Sequence, residues 1–139
     1  MHVFVTGATG FVGAAVVREL QGAGHSVLGL VRSDDKAKAL AATGAQVHRG
    51  DLTDLDSLRS GAAEADGVIH TAFIHDFSKF GENGQIDKRA IEAIGEVLAG
   101  TGKPLVVSSG TAGIAVGQVA TEDVVMPAGT PRLSEPTAF

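Results

Sequence analysis

Cysteine is missing from all 139 residues, which removes disulfides, thiolate metal sites and thiol nucleophiles together and makes a reducing compartment the expected home. A surplus of cations is missing too. Eleven Lys and Arg stand against 16 Asp and Glu, a net charge of -5, and the basic residues do not cluster. A surface built for the nucleic-acid backbone is therefore not expected. No apolar run approaches the roughly 18 residues of a membrane span. Apolar periodicity begins at Val3, without space for the charged and hydrophobic regions of a leader. Together these absences predict a cytoplasmic protein with neither nucleic acid nor membrane as partner. The length suits one domain and is short for an enzyme with separate cofactor and substrate domains.

What is present alternates regularly. Short, apolar, largely β-branched runs at His2–Thr6, Ser26–Val31, Ala45–His48, Gly67–Thr71 and Pro104–Ser108 read as strands buried on both faces. Between them lie helical stripes: Val12, Val16 and Leu20 recur every four residues, as do Ile86, Ala90, Ile94 and Leu98. Gly24 and Gly44 sit where left-handed helix ends belong, and Asp54 where a helix N-cap belongs. Five such βα repeats predict a doubly wound α/β fold, a Rossmann-type parallel sheet of about five strands with helices on both faces. Its ligand crevice should lie at the carboxyl ends of the strands. The repeats place one domain at residues 1–118. Residues 119–139 contain Pro127, Pro131 and Pro136 with few periodic apolar positions and read as loop.

The stretch VFVTGATGFVG, Val3 to Gly13, spaces three glycines by three between a strand and a helix. Gly7 permits the turn, Gly10 lets backbone approach a pyrophosphate, and Gly13 lets helix pack on strand. The helix N-terminus then presents free N–H groups and partial positive charge to an anion. The second strand ends in LVRSDD, where Arg32 and the Ser33 hydroxyl suit a 2′-phosphate and hence NADP ahead of NAD; Asp34 or Asp35 could instead reach a ribose. In HRGDLTD, Asp51 and the backbone of Leu52 can meet an adenine edge, or belong simply to the loop before the Asp54-capped helix.

TGATGFVG, GDLTD, ADGVIHTA and VVSSGTAG, in that order, resemble the short-chain dehydrogenase/reductase superfamily, specifically its extended and atypical branches with the NAD-dependent epimerase/dehydratase-like proteins. The resemblance covers residues 1 to about 115. It implies that Gly7, Thr9, Gly10, Phe11 and Val12, with Gly13 beneath them, wrap the pyrophosphate. It implies that Asp51 and Leu52 flank adenine, that Thr71 and Ala72 lie along the ribose next to the nicotinamide, and that His70 is a satisfied structural residue. It also implies a catalytic hydroxyl at Ser109, with Thr111 as a second candidate. The superfamily's Tyr-x-x-x-Lys pair has no counterpart, because the chain contains no tyrosine, and the corresponding stretch reads PRLSEPTAF. His75 and Asp76 in FIHDF are the remaining proton-transfer candidates, or a solvated loop pair.

Superfamily members continue far past this point, so the chain is expected to be either a piece of a longer protein or a short module. Two functions follow. One is the NADP-preferring cofactor-binding part of an oxidoreductase or epimerase-like enzyme acting on a small carbonyl or hydroxyl substrate. The other is a non-catalytic NAD(P)-binding regulatory module. A homo-oligomer through the helix near Ile86–Leu98 is one expectation; in the plain alternative Asp87, Lys88, Glu92 and Glu96 face water.

Overall fold

The computed structural model describes residues 1–110 together with Gly117, Val119, Thr121, Asp123 and Val124. Five parallel strands form one sheet: β1 (His2–Thr6), β2 (Ser26–Val31), β3 (Gln46–Arg49), β4 (Gly67–His70) and β5 (Leu105–Val107). Their spatial order is β3-β2-β1-β4-β5, so β1 is central and the chain changes direction of travel beside it. That order makes the tip of β1 the place where a crevice opens between connections leaving toward opposite edges. Strand ends differ from expectation by a residue or two. Ala45 precedes β3, while Thr71, Pro104 and Ser108 lie outside β4 and β5.

Alternation along β1 divides the core. Val3 and Val5 face α1 (Phe11–Gly22) and α2 (Asp34–Ala41), joining Val17, Val27, Val31 and Leu40. Phe4 faces α3 (Leu55–Glu64) and α4 (Phe80–Leu98), joining Leu58, Val68, Ala90, Ile94 and Leu98. The period of two on a strand thus feeds two separate apolar layers. Ala90, Ile94 and Leu98 are buried as the α4 stripe predicts, but the α1 stripe is displaced. Val17 is its buried residue, Val16 and Leu20 pack beside it, and Val12 is 53% exposed. Val12 lies in the first turn, beyond the end of β1, where no strand remains to cover it.

Helix ends follow the local chemistry. Ser33 caps α2 by accepting from the Lys36 amide, and Asp54 caps α3 by accepting from the Ser57 amide at 3.2 Å. Gly24 and Gly44 hold φ of +81° and +86° after α1 and α2. Asp87 corrects the view of α4's polar side as wholly solvated. It is 1% exposed, buried by an interaction with β4, whereas Glu96 stays at the surface and pairs with Arg59 of α3 at 3.2 Å. Among the described residues no helix is long and apolar enough to cross a membrane.

Candidate functional site

The turn after β1 is shaped by three glycines, two of which a Cβ would overlap outright and one of which it would crowd. Gly7 adopts φ +68°, and a Cβ there would fall 2.8 Å from the Ala72 nitrogen. A Cβ on Gly13 would fall 2.0 Å from the Gly7 carbonyl oxygen, an impossible overlap. These positions are glycine because backbone meets backbone. Gly10 differs: its added Cβ would touch only the Gly7 carbonyl oxygen, at 3.2 Å. That contact is tight rather than impossible, and a side chain there would require the Gly7 carbonyl to shift by a few tenths of an ångström.

Gly10 is also the N-cap of α1, and it offers no side chain to the helix's first N–H groups. No carboxylate stands in the first turn, and the residues that follow, Phe11 and Val12, are 99% and 53% exposed. Leaving the donors of a helix start uncapped is costly unless water or an anion satisfies them. Ser33 and Asp54 cap α2 and α3 with their side chains, whereas α4, like α1, begins at a residue, Lys79, whose side chain makes no capping bond.

Beside this turn a cavity of about 590 Å³ opens at the carboxyl ends of four strands. Gly7 and Thr9 come from the β1 connection, Arg32, Ser33 and Lys36 from the end of β2 and the start of α2, and Asp51 and Leu52 from the β3 connection. Ala72, Phe73, Ile74 and His75 form the wall that follows β4. Eight of the sequence-predicted residues thus share one space: Gly7, Thr9, Arg32, Ser33, Asp51, Leu52, Ala72 and, of the two proton-transfer candidates, His75. Gly10, Phe11, Val12 and Gly13 form the adjoining helix start. Thr71 has its hydroxyl engaged, donating to the Thr6 carbonyl at 2.7 Å. Ser109 stands exposed just after β5, with its hydroxyl 3.3 Å from the Gly110 carbonyl oxygen, and does not line the cavity. Thr111 lies outside the described residues.

On the β2 side, the Arg32 Nε lies 3.6 Å from Asp51 Oδ2. The other Asp51 oxygen accepts from the Thr53 amide and hydroxyl, at 2.9 and 2.8 Å. Partial burial pushes the Asp51 carboxyl up, but these two bonds and the Arg32 guanidinium outweigh it and hold the group below its ordinary value. Asp34 forms an ion pair with Arg49, and neither Asp34 nor Asp35 lines the cavity.

The β4 side is held from within. His70 places Nδ1 2.8 Å from Thr6 Oγ1 and Nε2 2.9 Å from Asp87 Oδ1, and all three residues are at most 1% exposed. The Ala72 amide donates to Thr6 Oγ1 at 3.3 Å, and the Asp87 carboxylate accepts from His70 Nε2–H; in the neutral ring that leaves Nδ1 to accept from the Thr6 hydroxyl. One chain of bonds connects α4 through β4 and β1 to the cavity wall. His70 is the satisfied structural histidine that the strand pattern implied.

Sequence reasoning missed Lys36, Phe73 and Ile74. Lys36 was accessible in principle, since a Ser33 cap puts it in the first turn of α2 beside Arg32. The wall residues carried only an aromatic density in FIHDF as their signal.

Residues 3–121 match the NAD dependent epimerase/dehydratase family. An uncharacterized protein of Schizosaccharomyces pombe is 56% identical over 112 residues, covering 81% of this chain and 38% of that protein. Two solved structures share the fold. One is a short-chain dehydrogenase/reductase superfamily protein from Agrobacterium tumefaciens with bound NAD, at 21% identity and TM-score 0.75, covering 98% of this chain and 42% of that one. The other is the Citrobacter sp. triphenylmethane reductase complexed with NADP(H), at 24% identity and TM-score 0.59, covering 70% and 34%. The chain spans less than half the length of each of these three proteins. With the glycine turn, the uncapped helix start and the cavity between β2 and β4 all in place, this chain belongs to the NAD dependent epimerase/dehydratase family.

Proposed function

We propose that this chain is the dinucleotide-binding part of an oxidoreductase or epimerase-like enzyme that prefers NADP to NAD and acts on a small carbonyl or hydroxyl substrate. The observation that carries the reading is the charge at the β2 end of the cavity. Arg32 and Lys36 both line it, beside the Ser33 hydroxyl, while the Asp34 carboxylate that would hold a ribose 2′-OH is paired with Arg49 outside it. Two cations beside a hydroxyl suit a phosphate ester.

The dinucleotide fits the residues present. Gly10 puts no side chain over the α1 N–H groups, the place for paired phosphates, and the Gly7 carbonyl oxygen, 3.2 Å from where its Cβ would stand, leaves little room for one. Asp51 and Leu52 then border the adenine, and Ala72 the nicotinamide ribose. A bound nicotinamide supplies the hydride donor or acceptor. The chain's own part is to bind, to orient, and at Ser109 or Thr111 to hold a substrate oxygen by hydrogen bond. We place the protein in the cytoplasm on its cysteine-free composition.

Calorimetric titration with NADPH and NADH tests this directly. NADPH is expected to bind about tenfold or more tightly than NADH, the discrimination of one or two charge-assisted phosphate contacts. A well-folded chain that takes up neither nucleotide overturns the reading, and tighter binding of NADH overturns the NADP preference.

A further inference from the structure

The chain has six phenylalanines and neither tyrosine nor tryptophan. Three of the six, Phe73, Phe77 and Phe80, fall between the end of β4 and the first residue of α4, and close a circuit of rings with His75. Ring centroids are 5.5 Å apart for Phe73 and His75, 6.3 Å for His75 and Phe77, 6.2 Å for Phe77 and Phe80, and 5.8 Å for Phe80 and Phe73. Phe77 and Phe80 stack at 15°. Core formation does not account for this cluster, because none of the four is buried and Phe77 is 74% exposed. A large exposed ring at the end of an aromatic cluster marks a surface that covers something.

The circuit continues the cavity wall, since Phe73 and His75 line it together with Ala72 and Ile74. This end lies across β1 from Arg32 and Lys36, and it contributes neither Lys nor Arg to the lining; Lys79, the lysine of the same segment, is not part of it. A nucleotide-sugar substrate brings two phosphates and needs cations where it sits. A flat, uncharged molecule instead loses little on leaving water and gains ring contacts.

We propose that Phe73, His75, Phe77 and Phe80 form a shelf for the substrate, and that the substrate is a planar, uncharged ketone, aldehyde or alcohol of aromatic character. The proposal rests on the dinucleotide reading for the identity of the neighbouring ligand, but its test does not. The full chain is titrated with 2-acetonaphthone, whose fluorescence is read without interference because tryptophan and tyrosine are absent, and separately with UDP-glucose. Binding of 2-acetonaphthone is expected, weakened about tenfold in Phe77→Ser and restored in Phe77→Tyr, with no uptake of UDP-glucose. Thermal melts verify that each variant is folded, and Phe73→Leu, which keeps apolar bulk without a ring, provides the second variant. The shelf is overturned if 2-acetonaphthone does not bind, if Phe77→Ser and Phe73→Leu both bind it as the parent does, or if UDP-glucose binds in its place. Should NADPH fail to bind while the naphthyl ketone follows Phe77, the dinucleotide reading falls and the shelf stands.

Discussion

On the β2 side of the cavity the polar groups stand in water, Arg32 with 76% of its side chain exposed, while on the β4 side Thr6, His70 and Asp87 are almost completely enclosed. The first side is held by one ion pair at 3.6 Å and local turn bonds. The second is held by a run of hydrogen bonds through three secondary-structure elements. Solvated charges contribute little to stability and can change partners freely, so selectivity can be altered there without loss of fold. Buried polar groups are costly to disturb, so the wall that follows β4 is kept in place by the fold itself.

The severest way to break this comparison is to cut the enclosed side. His70→Leu leaves Thr6 and Asp87 buried without their shared partner, and is expected to cost about 3 kcal/mol or more in urea unfolding. A loss below about 1 kcal/mol would show that the bonds carry no such weight. Next is the turn between the two sides. Gly10→Val is expected to abolish NADPH uptake while lowering the melting temperature by only a few degrees, about the effect of a poorer N-cap. Gross unfolding of this variant would show that the Gly7 carbonyl cannot shift to admit a side chain.

Effects diminish on the solvated side. Arg32→Ala is expected to weaken NADPH about tenfold, leave NADH unchanged and leave urea stability within about 0.5 kcal/mol of the parent. The smallest effect is pH-dependent. Because the Asp51 carboxyl is held below its ordinary value in the folded chain, its contribution to stability is complete above the unfolded pKa and disappears as pH falls through the folded one. The parent should therefore exceed Asp51→Asn by less than about 1 kcal/mol at pH 7, with the two curves converging in acid. A gap that widens in acid would reverse the assignment.

The same contrast governs what could be read from the sequence. Strands buried on both faces announce themselves as apolar runs, and the glycine turn announces itself by spacing, so the fold and the cavity-lining positions at strand ends were legible. The α1 stripe was misplaced because periodicity alone does not say where the sheet stops, and Val12 lies past its end. Asp87 looked like a surface charge because its neighbours in sequence are charged, although helical spacing sets it three, four and seven residues before Ala90, Ile91 and Ile94 on the buried face, and its partner 17 residues earlier shows how a charge is held there. Phe73 and Ile74 reach the cavity through the path of the connection after β4, which composition does not encode, whereas Lys36 reaches it from the first turn of α2.

The central position of β1 bears on how the chain is made. Phe4 and Leu28 belong to an apolar layer that is completed only by Val68, Ala90, Ile94 and Leu98. A ribosome adding about 5–20 residues per second needs several seconds to travel from Leu28 to Leu98. Through that interval the face of the nascent β1–β2 pair that carries Phe4 and Leu28 is covered by α3 at most, so part of its protection in the cell falls to chaperones or to the speed of translation.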